Sequence, residues 1–123
     1  MHVLRNMISS IKPGGLVLDL QVIRPDPRVE VKGRLVCEID GQPLFRLADA
    51  AAAAVDASIA GGRLLEEAVQ DHDVRKHYRT GADLAADFAG KERKLPVDAV
   101  PIVRAITRPC VVREHCRLRR LRA

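Results

Sequence analysis

The sequence predicts a single α/β domain over residues 1–123, in which helices flank a partial sheet, and three observations carry that expectation. Leu4, Met7, Ile8 and Ile11 recur at i, i+3, i+4 and i+7, one face of a helix. Pro13, Gly14 and Gly15 then stop that helix and turn the chain. Leu16, Val17, Leu18, Leu20, Val22 and Ile23 follow, interrupted only by Asp19 and Gln21. A run this apolar is expected to be a strand covered on both faces, as in parallel sheets. Such a helix–turn–strand unit belongs deep inside a sheet, so these residues read as the second half of something larger.

The remaining elements follow in order. Arg24-Pro25-Asp26-Pro27 is a loop, because two prolines remove backbone donors. Val29, Val31, Leu35, Cys37 and Ile39 occupy odd positions of an extended segment, with Gly33 as a candidate bulge. Asp40-Gly41 suits a two-residue hairpin turn, with Pro43 to Phe45 as a short return arm at an edge. Five consecutive alanines place a helix over residues 47–60, closed by Gly61-Gly62. Residues 63–78 favour helix by propensity at Leu64 to Ala68, but the Val69, Val74, Tyr78 pattern favours a strand around 67–78. Thr80 is an N-cap with Asp83 three residues on, and Gly90 ends that helix after Leu84 and Phe88. Lys91 to Lys94 is a charged linker. Asp98 is expected to cap a short helix with Pro101 in its first turn, ended by Pro109. Residues 111–121 are the final strand.

Composition limits what the chain can be. Nearly half its residues are apolar, which excludes disorder, but only Phe45, Phe88 and Tyr78 are aromatic. The core must come from Leu, Val, Ile and Ala. The net charge of +5 is uneven: seven arginines (104, 108, 113, 117, 119, 120, 122) oppose Glu114 alone after residue 100. Such a tail suits phosphates or an acidic partner; its plainer reading is a solvated strand face. Cys37, Cys110 and Cys116 are odd in number and lack C-x-x-C spacing, which points to reduced thiols and a cytoplasmic protein. No signal-peptide core opens the chain, and the longest apolar stretch, Ala50 to Val55, is too short to span a bilayer.

Three segments resemble a known family. Ile11-Lys12-Pro13-Gly14-Gly15-Leu16-Val17-Leu18 is similar to the entry into the fifth strand of class I S-adenosylmethionine-dependent methyltransferases. Tyr78-Arg79-Thr80-Gly81-Ala82-Asp83-Leu84 is similar to that family's step from sixth strand to helix. Val111 to Leu118 resembles its closing strand. The resemblance implies a partial Rossmann-like, methyltransferase-type mixed sheet with flanking helices, the last strand antiparallel, plus a β-hairpin insertion. It implies S-adenosylmethionine for the complete family fold but no cofactor for this chain alone. The family holds that cofactor on a Gly-rich loop, and the glycines here (14, 15, 33, 41, 61, 62, 81 and 90) form no G-x-G. The amino-methylating Asn/Asp-Pro-Pro-aromatic motif is also missing, so no catalytic or cofactor-binding residue transfers.

Ligands of open α/β sheets bind beyond the carboxyl ends of strands, which makes Gln21, Arg24 and Asp26 candidates to face a substrate. The rival reading is a small basic module that binds nucleic acid or another polyanion through Arg113, Arg117 and Arg119, which share a face of an extended strand. Scarce aromatics weigh against it. His72 and His77, with Asp71 and Asp73 beside them, are five apart, a spacing that suits neither one helix face nor one strand face, and no metal site is assigned. His115 and Cys116 are strand neighbours and point to opposite faces, which disfavours a thiol–imidazole pair. Finally, an apolar strand should not lie open at an edge. A homodimer, or a complementary N-terminal half, is therefore expected to cover the strand at 16–23.

Overall fold

A computed structural model of the protein describes residues 10–91 and 93–123. The helix expected from Leu4, Met7 and Ile8 lies outside the described residues, while Ile11 packs against the core. Five strands form one open sheet: β1 (Leu16–Val22), β2 (Arg28–Val31), β3 (Arg34–Glu38), β4 (Leu65–Tyr78) and β5 (Cys110–Arg122). Three α-helices accompany them among the described residues: α1 (Gln42–Ala60), α2 (Gly81–Ala89) and α3 (Val100–Arg104), the last preceded by a 3-10 turn at Val97–Ala99.

β5 organises the sheet. It pairs with β4 along its whole length on one side, and on the other with β1 through Cys116–Arg122 and with β2 through Val111–Arg113. Every pairing is antiparallel, so β1 and β4 run parallel to each other with the reversed last strand between them. The last strand is antiparallel, as expected. The sheet is not mixed, because no two parallel strands are hydrogen-bonded neighbours.

Alternation along β1 and β5 defines two faces. Val17, Asp19, Gln21, Arg117, Arg119 and Leu121 share the front; Leu16, Leu18, Leu20, Leu118, Cys116 and Val112 share the back. α1 covers the front at one end of β5, where Val17, Val55, Leu64 and Leu121 form a small core. α2 and α3 cover the back at the other end, where Leu84, Phe88 and Val103 pack on Val29, Cys110 and Val112. One long strand thus carries two half-cores on opposite faces.

That division overturns the expectation that β1 is covered on both faces. Val17 is buried, but Leu18 and Leu20 are 58% and 56% exposed, because the back-face helices sit at the far end of β5. β1 is an edge strand, and its partner is the antiparallel β5 rather than a parallel neighbour.

The hairpin is present, but its turn is elsewhere. β2 and β3 are joined by Lys32-Gly33, both at positive φ (50° and 76°), the requirement of a tight two-residue turn. Asp40-Gly41 instead begins α1. The Asp40 carboxylate accepts from the Gln42 N–H at 3.0 Å and the Asp26 carboxylate from the Gly41 N–H at 3.1 Å, so two acidic groups meet the positive end of that helix. Pro43 falls in the first turn, where no N–H is needed, and residues 43–45 are helical rather than a return arm. Gly33 is turn rather than bulge; the register shift lies between Val29 and Glu30.

Thr80 caps α2 as expected, its hydroxyl accepting from the Asp83 N–H at 3.2 Å. Asp98 does not cap α3: it sits within the 3-10 turn after Pro96, and α3 ends at Arg104, well before Pro109. The Pro13-Gly14-Gly15 turn is tied to the other end of the chain. Gly14 N–H donates to the Ala123 carbonyl and Ala123 N–H to that of Gly15, both at 2.9 Å. Gly14 has φ +83°, a conformation that glycine adopts at little cost.

Candidate functional site

The front face holds a cleft of about 480 Å³ between α1 and the sheet. It draws together candidates from both sets chosen on sequence: Gln21 and Arg24 from β1 and its following loop, Arg117 and Arg119 from β5. Asp26 is not among its lining residues, being committed to the start of α1. Arg113 lies further along β5 on the same face, as strand alternation requires.

Every arginine in this group meets carboxylates. Arg24 forms a two-pronged pair with Asp49 of α1 at 3.1 and 3.0 Å, and its guanidinium lies 5.0 Å from the Phe45 ring centre. Arg117 pairs with Asp71, directly opposite on β4, at 2.8 and 3.0 Å. Their hydrogen bond holds the Asp71 carboxyl below and the Arg117 guanidinium above its usual range. Arg119 donates to Glu66 at 2.6 Å and to Asp56 of α1 at 2.8 Å, joining helix to sheet. Arg113 lies 3.3 Å from the nearly buried Glu30 and 3.8 Å from Asp73.

The same holds at the end of β5, where Arg120 and Arg122 share Glu67. The local positive surplus of the C-terminal sequence is thus largely balanced within the sheet. Arg104 and Arg108 alone of its seven arginines have no ion pair among the described residues. The acidic partners Asp49, Asp56, Glu66 and Glu67 were not singled out from sequence. Glu66, Asp71 and Asp73 carried a faint signal, since acidic residues recur on the strand that opposes an arginine-rich one. Only the antiparallel register shows which meets which.

Asp19, also in the cleft, accepts from Gln21 Nε2 at 3.0 Å. Its second oxygen is enclosed and has no protein partner, although Arg119 stands directly across the ladder. Gln21 is therefore a side chain with a local partner, and Arg24 a surface tether between the β1 loop and α1. The charged side chains of the cleft are thus engaged mainly with one another, arginine with carboxylate.

The other reactive side chains are dispersed. His72 faces the Cys116 side of the sheet and His77 the Val111 side, so the two do not converge. His115 Nδ1 lies 2.7 Å from Asp73. No group of three or more ligating side chains forms among the described residues. The three cysteines are free, and burial pushes each thiol up, away from the reactive thiolate. No helix among the described residues is long and apolar enough to cross a membrane.

One polar cluster stands apart. Asp87 of α2 accepts from the Tyr78 hydroxyl at 2.5 Å and from Lys76 at 2.9 Å, with Lys91 at 3.1 Å. These donors hold the Asp87 carboxyl far below the usual range. Partial burial and the hydrogen bond to Asp87 push Tyr78 up to about 12 from 10.0. A phenol raised in the folded state stabilises the fold below pH 10, and that contribution fades as pH climbs towards 12. Because Tyr78 is the single tyrosine, ultraviolet titration of phenolate should give a midpoint near 12 in folded protein. In Asp87→Asn the midpoint should fall.

Comparison with known proteins adds no identification: no family model, curated protein or solved structure matches this chain.

Proposed function

We propose that these residues form a methyltransferase-like, partial Rossmann-type half-domain that has no S-adenosylmethionine site of its own. It is inactive alone and is completed by a second copy or by a complementary N-terminal half along β1. One observation carries this reading: the open edge of β1 is unlike the other two. β3 is five residues long and bears Arg34 and Glu38. β4 is long, but it carries Glu66, Glu67, Asp71, Asp73, Arg75 and Lys76 and a register shift near Glu67. Charge, bulges and shortness are the usual means of keeping an edge from pairing. β1 has no register shift and a single charge, Asp19, which points to the front, and three leucines stand exposed on its back.

The reversed last strand, held between two strands that run parallel to each other, supports the family resemblance. So do the capped entry into α2 and the tight glycine turn before β1. The missing G-x-G supports the lack of a cofactor site. The rival polyanion reading draws less support, since Arg113, Arg117 and Arg119 are each matched by carboxylates.

Sedimentation of the isolated chain at micromolar concentration tests the edge. A dimer is expected, converted to monomer by Leu18→Lys with Leu20→Lys, both surface positions whose loss leaves the cores intact. A stable monomer of the unmodified chain removes the second-copy form of the proposal. Calorimetry with S-adenosylmethionine should show no binding to the isolated chain, and micromolar binding would contradict the absence of a site.

A further inference from the structure

A second cleft, also of about 480 Å³, opens between α2 and the 3-10 turn and α3 that follow it. Its walls are apolar: Phe88, Leu95, Val97, Val100 and Pro101 contribute most of them. Among the described residues, the two charged side chains that line it, Lys94 and Arg104, are both cations. Arg104, in the last turn of α3, has no hydrogen bond or ion pair among the described residues, unlike the arginines of β5. Lys94 Nζ donates to the carbonyls of Ala89 and Lys91 at 3.0 and 3.1 Å, which leaves one of its three N–H groups free. Val97 is 87% exposed, the most exposed of the large apolar side chains described.

We propose that this cleft binds a small amphipathic anion, an alkyl or aryl carboxylate. Its hydrocarbon part lies along Phe88, Leu95, Val97 and Val100, and its head meets Arg104 and Lys94. The volume falls in the range of small-molecule sites, which are mainly apolar with a few polar groups that fix orientation. Guanidinium matches a carboxylate with two parallel hydrogen bonds. Both cations stand near water, so the head group tunes affinity modestly and removal of apolar surface from water supplies most of it. This cleft shares no residue with the one beneath α1, and the proposal does not depend on the completion of β1.

Calorimetric titration of the full chain with decanoate, decanol and acetate tests it, with melting curves confirming that each variant folds. Decanoate below its micelle concentration should bind, decanol about fivefold more weakly, and acetate undetectably. Val97→Asp, which puts a like charge where the chain would lie, should weaken decanoate at least about tenfold. Arg104→Gln should narrow the difference between decanoate and decanol, and Arg104→Gln with Lys94→Gln should abolish it. No binding of decanoate overturns the proposal. So does equal affinity for decanoate and decanol, or decanoate binding that survives Val97→Asp.

Discussion

Gly81→Ala is expected to destabilise the protein by about 3 kcal/mol or more, lowering the melting temperature by about 10 °C or more. Gly81 opens α2, and its N–H donates to the Ile106 carbonyl at 2.9 Å. A Cβ there would run into the Val103 carbonyl oxygen and stand 2.8 Å from Ile106 Cβ. The first obstacle is backbone, so no rotamer change relieves it. α2 and α3 would have to separate, which opens the core of Leu84, Phe88 and Val103. Gly62→Ala is the control. Gly62 adopts a conformation that side chains disfavour, φ +74°, but nothing lies within 4 Å of its would-be Cβ. Its cost should be about 1 kcal/mol of backbone strain alone. Thermal denaturation of the two variants beside the parent measures the difference, and equal costs would show that the contact at Val103 yields easily.

Leu121→Ala should cost about 3 kcal/mol, and the loss should be local. Leu121 is fully buried in a small core with Val17, Val55 and Leu64, flanked by the partly buried Ile11 and Ile59. Truncation leaves a cavity where α1 meets the sheet. Besides its buried Phe45, Ala48 and Ala51, that helix is held by the exposed, weak ion pair of Arg24 with Asp49 and by that of Arg119 with Asp56. Hydrogen exchange should therefore speed up through α1 and β1 while α2 keeps its protection. Units with separate cores open separately. Uniform acceleration across both ends of β5 would mean that the two half-cores unfold as one.

Much of the element list was legible in the residues themselves. Apolar density placed β1, the alanines and the glycine pair placed α1 and its end, and Thr80 with Asp83 placed the start of α2. The strand expected around 67–78 is present and starts already at Leu65, against the helical propensity of Leu64 to Ala68, because β5 offers it a full-length partner. The hairpin turn was misplaced for a local reason. Asp40-Gly41 has good turn chemistry, but the Asp40 side chain serves a helix start, while Lys32 takes a positive φ that its type seldom adopts. Of the candidate side chains, Gln21, Arg24, Arg117 and Arg119 do converge on one cleft. The carboxylate partners of the three arginines could not be chosen in advance, since each lies 25 to 63 residues away.

The sequence by itself determined what short-range chemistry controls: where helices begin and stop, which residues alternate across a strand, and that the first strand is strongly apolar. The tertiary structure decided which strands are neighbours, that all of them run antiparallel, and which face each helix covers. Those outcomes rest on hydrogen bonds and packing between distant segments, above all the ladder of β4 on β5. Once α1 took the front of one end and α2 the back of the other, the leucines of β1 were left bare and the arginines of β5 were balanced by acids.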